Sequence, residues 1–184
     1  MTHQDLQRFL LKKFPKENES CEWKPYQRIK DYFSAKEGND IVSYVSAISN
    51  MEGGTLVIGV EDGTLDIIGI DNYNYSSEKV RLRLTDQCAN LPSEGLVLDE
   101  YRTSDTDKLV WVLTIPKHSK RLPVYAHSKA WQRIDDSLVP ITRKRLDAIL
   151  SEVDEISDWS SEIVEGATIE DLDSEACLLY TSPS

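Results

Sequence analysis

The stretch ISNMEGGTLVIGVEDG, residues 48–63, places four glycines, Gly53, Gly54, Gly59 and Gly63, around an apolar run. Glycine in such a setting serves one of two ends: backbone amides that cradle a phosphate, or turns that need a positive φ. The order of elements separates them. Upstream, Ile41, Val42, Tyr44, Val45, Ile48 and Met51 recur at helical spacing, so 38–51 reads as a helix. Downstream, TLVIGV (55–60) reads as a buried strand. The glycines therefore follow a helix and precede a strand, the reverse of a dinucleotide fingerprint, and no Gly-Lys-Ser/Thr follows them. No helix N-terminus is offered to a phosphate. Backbone tasks account for each glycine instead. Gly53-Gly54 cap the helix in a left-handed conformation, Gly59 lets another backbone or a ligand come close, and Gly63 completes a hairpin turn opened by Asp62.

Working outward, residues 1–14 form an amphipathic pattern with Leu6, Phe9, Leu10 and Phe14 on one face. SCEWK, within 19–25, reads as a short strand. LDIIGI (65–70) is expected to return as the hairpin partner of 55–60. Residues 76–90 read as a helix, and EGLVLDEYR and DKLVWVLTI as two strands around a polar turn at 104–107. PVYA and AWQRI are short strands. ITRKRLDAIL (141–150) is a helix opened by Pro140 and Thr142. The fold class is α+β: a mixed, mainly antiparallel sheet flanked by helices in one compact domain over residues 1–150. Trp23, Trp111 and Trp131, on strands, read as core.

The net charge of −11 looks hostile to nucleic acid, but it is unevenly placed. Residues 152–175 hold ten acids and no base, which leaves 22 acids against all 21 Lys and Arg in the first 151 residues. The body is near neutral, so the total charge describes the tail. Residues 151–176 read as an acidic linker or loosely docked segment. CLLYTSPS (177–184) resembles translated vector sequence, so the natural chain is expected to continue differently there. No apolar run approaches the roughly 18–20 residues of a membrane span, and the N-terminus lacks a signal-peptide apolar region, so a cytoplasmic location is expected. The three cysteines, Cys21, Cys88 and Cys177, make no CxxC pair. They point to neither a disulfide framework nor a zinc site. No HxxxH or GxSxG motif supports zincin or serine-hydrolase chemistry.

The helix, ISNMEGGTLVIGVEDG and LDIIGID together resemble the core of the Schlafen-type, divergent Alba-like domain, whose pattern runs AFANTEGGTLLIGVDDDG…IVGI. An upstream ExxxxEFK element is matched by Glu17-Asn18-Glu19-Ser20-Cys21-Glu22-Trp23-Lys24, and a downstream YVR strand more loosely by Ala130-Trp131-Gln132-Arg133. The resemblance covers about residues 10–150. It implies a nucleic-acid-binding α+β domain, for DNA or RNA, of regulatory or defence role. Bacterial relatives sit at the N-terminus of longer proteins described as transcriptional regulators, helicase-like or ATP-binding proteins. Further C-terminal domains are therefore expected to be missing from this chain. In vertebrate relatives two copies form a cleft, and some carry a three-carboxylate RNA-cleaving site; here a cleft would require a homodimer.

Two sets of residues can carry chemistry. Glu22 and Lys24 lie two apart on a strand and so share a face. With Glu17 and an acid at the end of the next strand they can hold Mg²⁺ or Mn²⁺ for phosphodiester cleavage, Lys24 serving the water or the developing charge. By the resemblance, Glu17 and Glu22 fall on the first two nuclease carboxylates, and Asp62 or Glu61 on the third. The competing reading makes Glu22 and Lys24 a charge pair on a solvated face, worth under ~1 kcal/mol. The second set is basic. Lys13 and Lys16 lie around the end of the first helix, and Lys117, Lys120 and Arg121 lie in the Pro-bounded loop PKHSKRLP, with Lys129 and Arg133 beyond it. These can contact phosphate, while Tyr125 or Trp131 stacks on a base. A third class is an ATP-linked or protein-interaction regulatory domain whose acidic tail binds a partner.

Overall fold

The computed structural model describes residues 1–15, 20–26, 38, 40–70, 76–135 and 137–153. Met1–Glu152 form one compact unit, and Val153–Ser184 fall in a second. The elements of the first are α1 (His3–Lys13), β1 (Cys21–Lys24), α2 (Ile41–Asn50), β2 (Gly54–Ile58), α3 (Ser77–Gln87), β3 (Cys88–Ala89), β4 (Val97–Arg102), β5 (Leu109–Ile115), β6 (Tyr125–Ala126), β7 (Lys129–Ile134), β8 (Ser137–Pro140) and α4 (Arg143–Leu150). Two four-stranded sheets result, in the orders β1-β2-β5-β4 and β3-β6-β7-β8. The class is α+β, as expected.

Period-two alternation splits the first sheet between two cores. Leu56 and Ile58 of β2, with Leu109, Trp111, Leu113 and Ile115 of β5, pack with α2. Val57, Val110 and Val112, on the opposite face, pack with Leu6 and Leu10 of α1 and with Phe14 at its C-cap. α2 is buried along its whole length, IVSYVSAISN, because it lies between the two sheets. Burial all round leaves its polar residues to find partners inside the protein. Ser46 Oγ donates to the Val124 carbonyl at 2.7 Å. Asn50 Nδ2 donates to the carbonyls of Val124 (2.8 Å) and Trp131 (3.0 Å), and its Oδ1 accepts from the Val124 N–H at 2.7 Å. One side of α2 thus acts as a hydrogen-bonding strip for the chain between the sheets.

Both ends of α2 are closed. Asp40 caps the N-terminus, its Oδ1 accepting from the Ser43 N–H at 2.8 Å. At the C-terminus Gly53 has φ +73°, and its N–H reaches the Ile48 carbonyl at 3.1 Å. Two distant basic side chains take the last carbonyls. His118 donates from Nδ1 to Ser49 O at 2.9 Å, and Arg145 donates to Asn50 O at 2.8 Å and Met51 O at 2.5 Å. Gly59 answers to backbone rather than ligand: at φ +95°, an added Cβ would sit 2.9 Å from the Leu109 carbonyl oxygen.

The hairpin expectation for 65–70 is corrected. β2 has β1 parallel on one side and β5 antiparallel on the other. A strand has only two edges, so LDIIGI adds no ladder to β2; it returns through the bridge of Val60 to Ile67, through main-chain bonds from Ile68 and Gly69 to the Gly59 carbonyl, and through the Ile70 N–H, which donates to Leu109 O of β5 at 2.8 Å. The two-residue β3 and the edge strand β8 went unread because neither carries a periodic apolar pattern. The β4–β5 hairpin pairs Val97 through Arg102 with Thr114 through Leu109, as its alternation predicts.

Candidate functional site

Period two also sets the faces of β1. Cys21 and Trp23 join the α1 core, so Glu22 and Lys24 point the other way, toward α2. Neither is solvated: Glu22 is 1% exposed and the Lys24 side chain 11%. The charge pair expected on an open face is therefore an internal one. Lys24 Nζ lies 2.6 Å from Glu22 Oε1 and 2.9 Å from Asp62 Oδ2. The Tyr44 ring of α2 stands 5.9 Å from the ammonium. On the other side, Glu22 Oε2 forms an ion pair with Arg133, which arrives from β7 of the second sheet with a side chain only 4% exposed. Trp131 and Arg133, two apart on β7, share the face turned to α2.

Sequence reasoning thus brought Glu22, Lys24 and Asp62 together, and the structure joins them through the ammonium. Arg133, read as a surface phosphate contact, belongs to this buried group. Two carboxylates face two cations, and the four charges cancel. Burial works against the Lys24 ammonium, but its hydrogen bonds to Glu22 and Asp62 outweigh it and hold the amine above the ordinary lysine value. Burial raises the Tyr44 phenol.

As arranged, these carboxylates do not fit a divalent cation. Glu22 and Asp62 meet only across Lys24, and a metal would have to displace both the ammonium and the Arg133 guanidinium. Among the described residues no three His, Cys, Asp or Glu gather as a metal-binding group. Glu61 is exposed in the turn, and Glu17 and Lys16 lie outside the described residues.

The basic residues divide among three places. Lys13, on α1, extends over the rings of Phe9 and Phe14 at 5.7 and 5.3 Å, on the sheet face away from α2. Lys129 belongs to the β6–β7 hairpin, whose His127 Nε2 meets the Asp40 cap at 3.1 Å, beside the N-terminus of α2. Loop 117–121 sits at the other end of that ten-residue helix, about 15 Å away. In that loop Lys117, Lys120 and Arg121 are exposed, while the His118 ring is buried. Lys117 Nζ lies 2.9 Å from Glu52 Oε2 and 3.0 Å from Glu152 Oε1. Arg121 Nε donates to the Glu152 carbonyl at 2.8 Å. Glu152, expected to lie in an acidic linker, is thus tied to the basic loop. The hydrogen bond from Lys117, ahead of burial, holds the Glu52 carboxyl low. Burial works against ionised Glu152, but Lys117 and His118 bring its carboxyl below the usual range. Of the two residues considered for base stacking, Trp131 is buried core and Tyr125 is partly exposed.

Arg145 and Asn50 escaped the sequence reading as organising residues. Asn50 had a signal, its place immediately before the glycine element. Arg145 had none, since any base in the last helix would look the same.

The sequence model of the family described as Schlafen, AlbA_2 matches residues 17–142. Among solved structures, the DIP2311 protein of Corynebacterium diphtheriae is similar at 20% identity with a TM-score of 0.53, over 89% of this chain and 29% of that one. This chain therefore spans under a third of that protein, and at this identity the likeness speaks to fold. The N-terminal domain of a RecG-related protein of Nitrosomonas europaea matches at 21% identity and a TM-score of 0.38, over 78% of this chain and 93% of that one. Among curated proteins none matches. Among the described residues no helix is long and apolar enough to cross a membrane.

Proposed function

The chain belongs to the Schlafen, AlbA_2 family, and from that premise we propose that it is a cytoplasmic nucleic-acid-binding module of regulatory or defence role. In this reading the group formed by Glu22, Lys24, Asp62 and Arg133 is a structural clamp. The observation that carries it is a contrast in exposure. The Glu22 carboxylate is buried and taken by Lys24 and Arg133, whereas Lys117, Lys120 and Arg121 stand at the surface on one loop. Phosphate contact requires cations that solvent reaches, and it gives affinity without sequence information. The clamp joins β1, the turn after β2, and β7, so its chemistry is that of holding two sheets around α2.

The test uses the full chain with labelled single-stranded DNA, duplex DNA and hairpin RNA, with Mn²⁺ or EDTA, at several salt concentrations. Binding in EDTA that weakens steeply with salt, and weakens further in Lys120→Ala/Arg121→Ala, is the expected result. Cleavage that requires Mn²⁺ would restore the nuclease reading and its three carboxylates. Absence of retention at low salt would favour the protein-interaction reading. A homodimer, the arrangement that pairs two such surfaces in one cleft, belongs to the same proposal, and sedimentation equilibrium at two concentrations tests it.

A further inference from the structure

Loop 117–121 does not stand open. Three of its residues turn on Glu152: Lys117 Nζ at 3.0 Å and His118 Nε2 at 3.2 Å from the same carboxylate oxygen, and Arg121 Nε at 2.8 Å from the main-chain carbonyl. The donors are held in place rather than gathered by chance. The His118 side chain is fully buried, and its Nδ1 is committed to Ser49 O at the end of α2, which aims Nε2 at Glu152. Arg121 has φ +61°, a left-handed conformation that a residue with a side chain keeps only where its surroundings hold it. The Glu152 side chain is 23% exposed, so an anion from solution reaches the same donors.

The neighbouring charges set the balance. Lys117 also meets Glu52, and Glu52 in turn meets Arg145 Nη2 at 3.2 Å. His118 apart, Lys117, Arg121 and Arg145 bring three positive charges to the two negative ones of Glu52 and Glu152. Neutralising Glu152 adds one to the positive surplus. The second partner of Glu52 is Arg145, outside the loop, whereas both partners of the Glu152 carboxylate, Lys117 and His118, belong to the loop, so Glu152 is the acid that an anion bound there replaces. A carboxylate and a phosphodiester share charge sign and offer paired acceptor oxygens, so donors that hold one serve the other.

We infer that loop 117–121 is an oxyanion site for a nucleic-acid phosphate, and that the Glu152 carboxylate is its built-in competitor. The inference rests on the nucleic-acid reading above and adds regulation to it: binding at this loop begins with release of Glu152.

Fluorescence anisotropy of the full chain with labelled oligothymidylate and with hairpin RNA, over a salt series, tests it. Glu152→Gln keeps the shape of the side chain and removes its charge. Glu94→Gln, at an exposed position in the turn before β4, removes the same charge elsewhere. The expected result is binding about five- to tenfold tighter for Glu152→Gln, with a salt slope steeper by about one, and little change for Glu94→Gln. Lys117→Ala added to Glu152→Gln should abolish the gain. Equal effects of the two glutamine variants, or a gain that survives Lys117→Ala, overturn the inference while leaving the binding reading intact. If the unaltered chain and every variant fail to bind at low salt, the binding reading itself falls, and the inference with it.

Discussion

Replacing Glu22 by Gln separates a structural clamp from a metal centre, because the two differ in the sign of the effect. Glu22 accepts from Lys24 at 2.6 Å and pairs with Arg133 on its other oxygen, at 1% exposure. Gln keeps the volume, but it turns one amide NH₂ toward a cation that has only donors. Removing one partner of a buried ion pair costs on the order of 3–5 kcal/mol, because the remaining charge stays desolvated. Lys24 keeps Asp62 at 2.9 Å, which places the expected loss near the lower end, about 3 kcal/mol. For a domain of this size that corresponds to a fall in Tm of roughly 6–12 °C. Urea and thermal melts of the full chain, followed by the fluorescence of the buried Trp23, Trp111 and Trp131, measure it. An empty metal site predicts the reverse: removing one of several crowded carboxylates relieves repulsion and leaves the metal-free protein as stable or more so. It also predicts that Mn²⁺ raises the Tm of the unaltered chain and not that of Glu22→Gln. A Glu22→Gln variant within about 0.5 kcal/mol of the parent, or above it, refutes the clamp.

Four further outcomes follow from the same packing. Asn50→Leu strands the Val124 N–H and strips a donor from the Trp131 carbonyl, so a loss of about 2–4 kcal/mol is expected in a urea melt. Ser49→Ala, which removes one bond to Pro116 O, should cost about 1 kcal/mol. The raised folded value of Lys24 gives stability that is complete below the unfolded lysine value, near 10.5, and lost as pH rises through the folded one. The stability gap between parent and Glu22→Gln should therefore narrow in alkali, and a gap independent of pH would contradict the pairing. Burial, reinforced by Asp40, pushes the Cys88 thiol up to about 12. A chain with Cys88 as its sole cysteine should resist alkylation at pH 8 until unfolded, and rapid labelling of the native protein would show the site to be open.

Local physics carried most of the fold. Helix, glycines and strand in that order place Gly53 at a helix end, because a left-handed cap is a property of a few residues, whereas the backbone that Gly59 admits, the Leu109 carbonyl, comes from β5. Alternation in LVWVLTI and VLDEYR sufficed for their hairpin, and the same alternation put Glu22 and Lys24 on one face. What alternation leaves open is which face is wet and who waits there. Glu22 became an internal charge because Arg133, from a different sheet, closes over it. LDIIGI lost its place as a strand because β1 and β5 had taken both edges of β2. Glu152, the first acid of a run that reads as solvated, became a ligand of the basic loop because α4 ends beside the C-terminus of α2. Each of these outcomes depends on residues far apart in the chain meeting in space. Sequence by itself determined the helices and most of the strands with their faces; tertiary structure alone decided which strands find a free edge, which charges are buried together and which remain for a ligand, since pairing and desolvation exist only after the sheets close around α2.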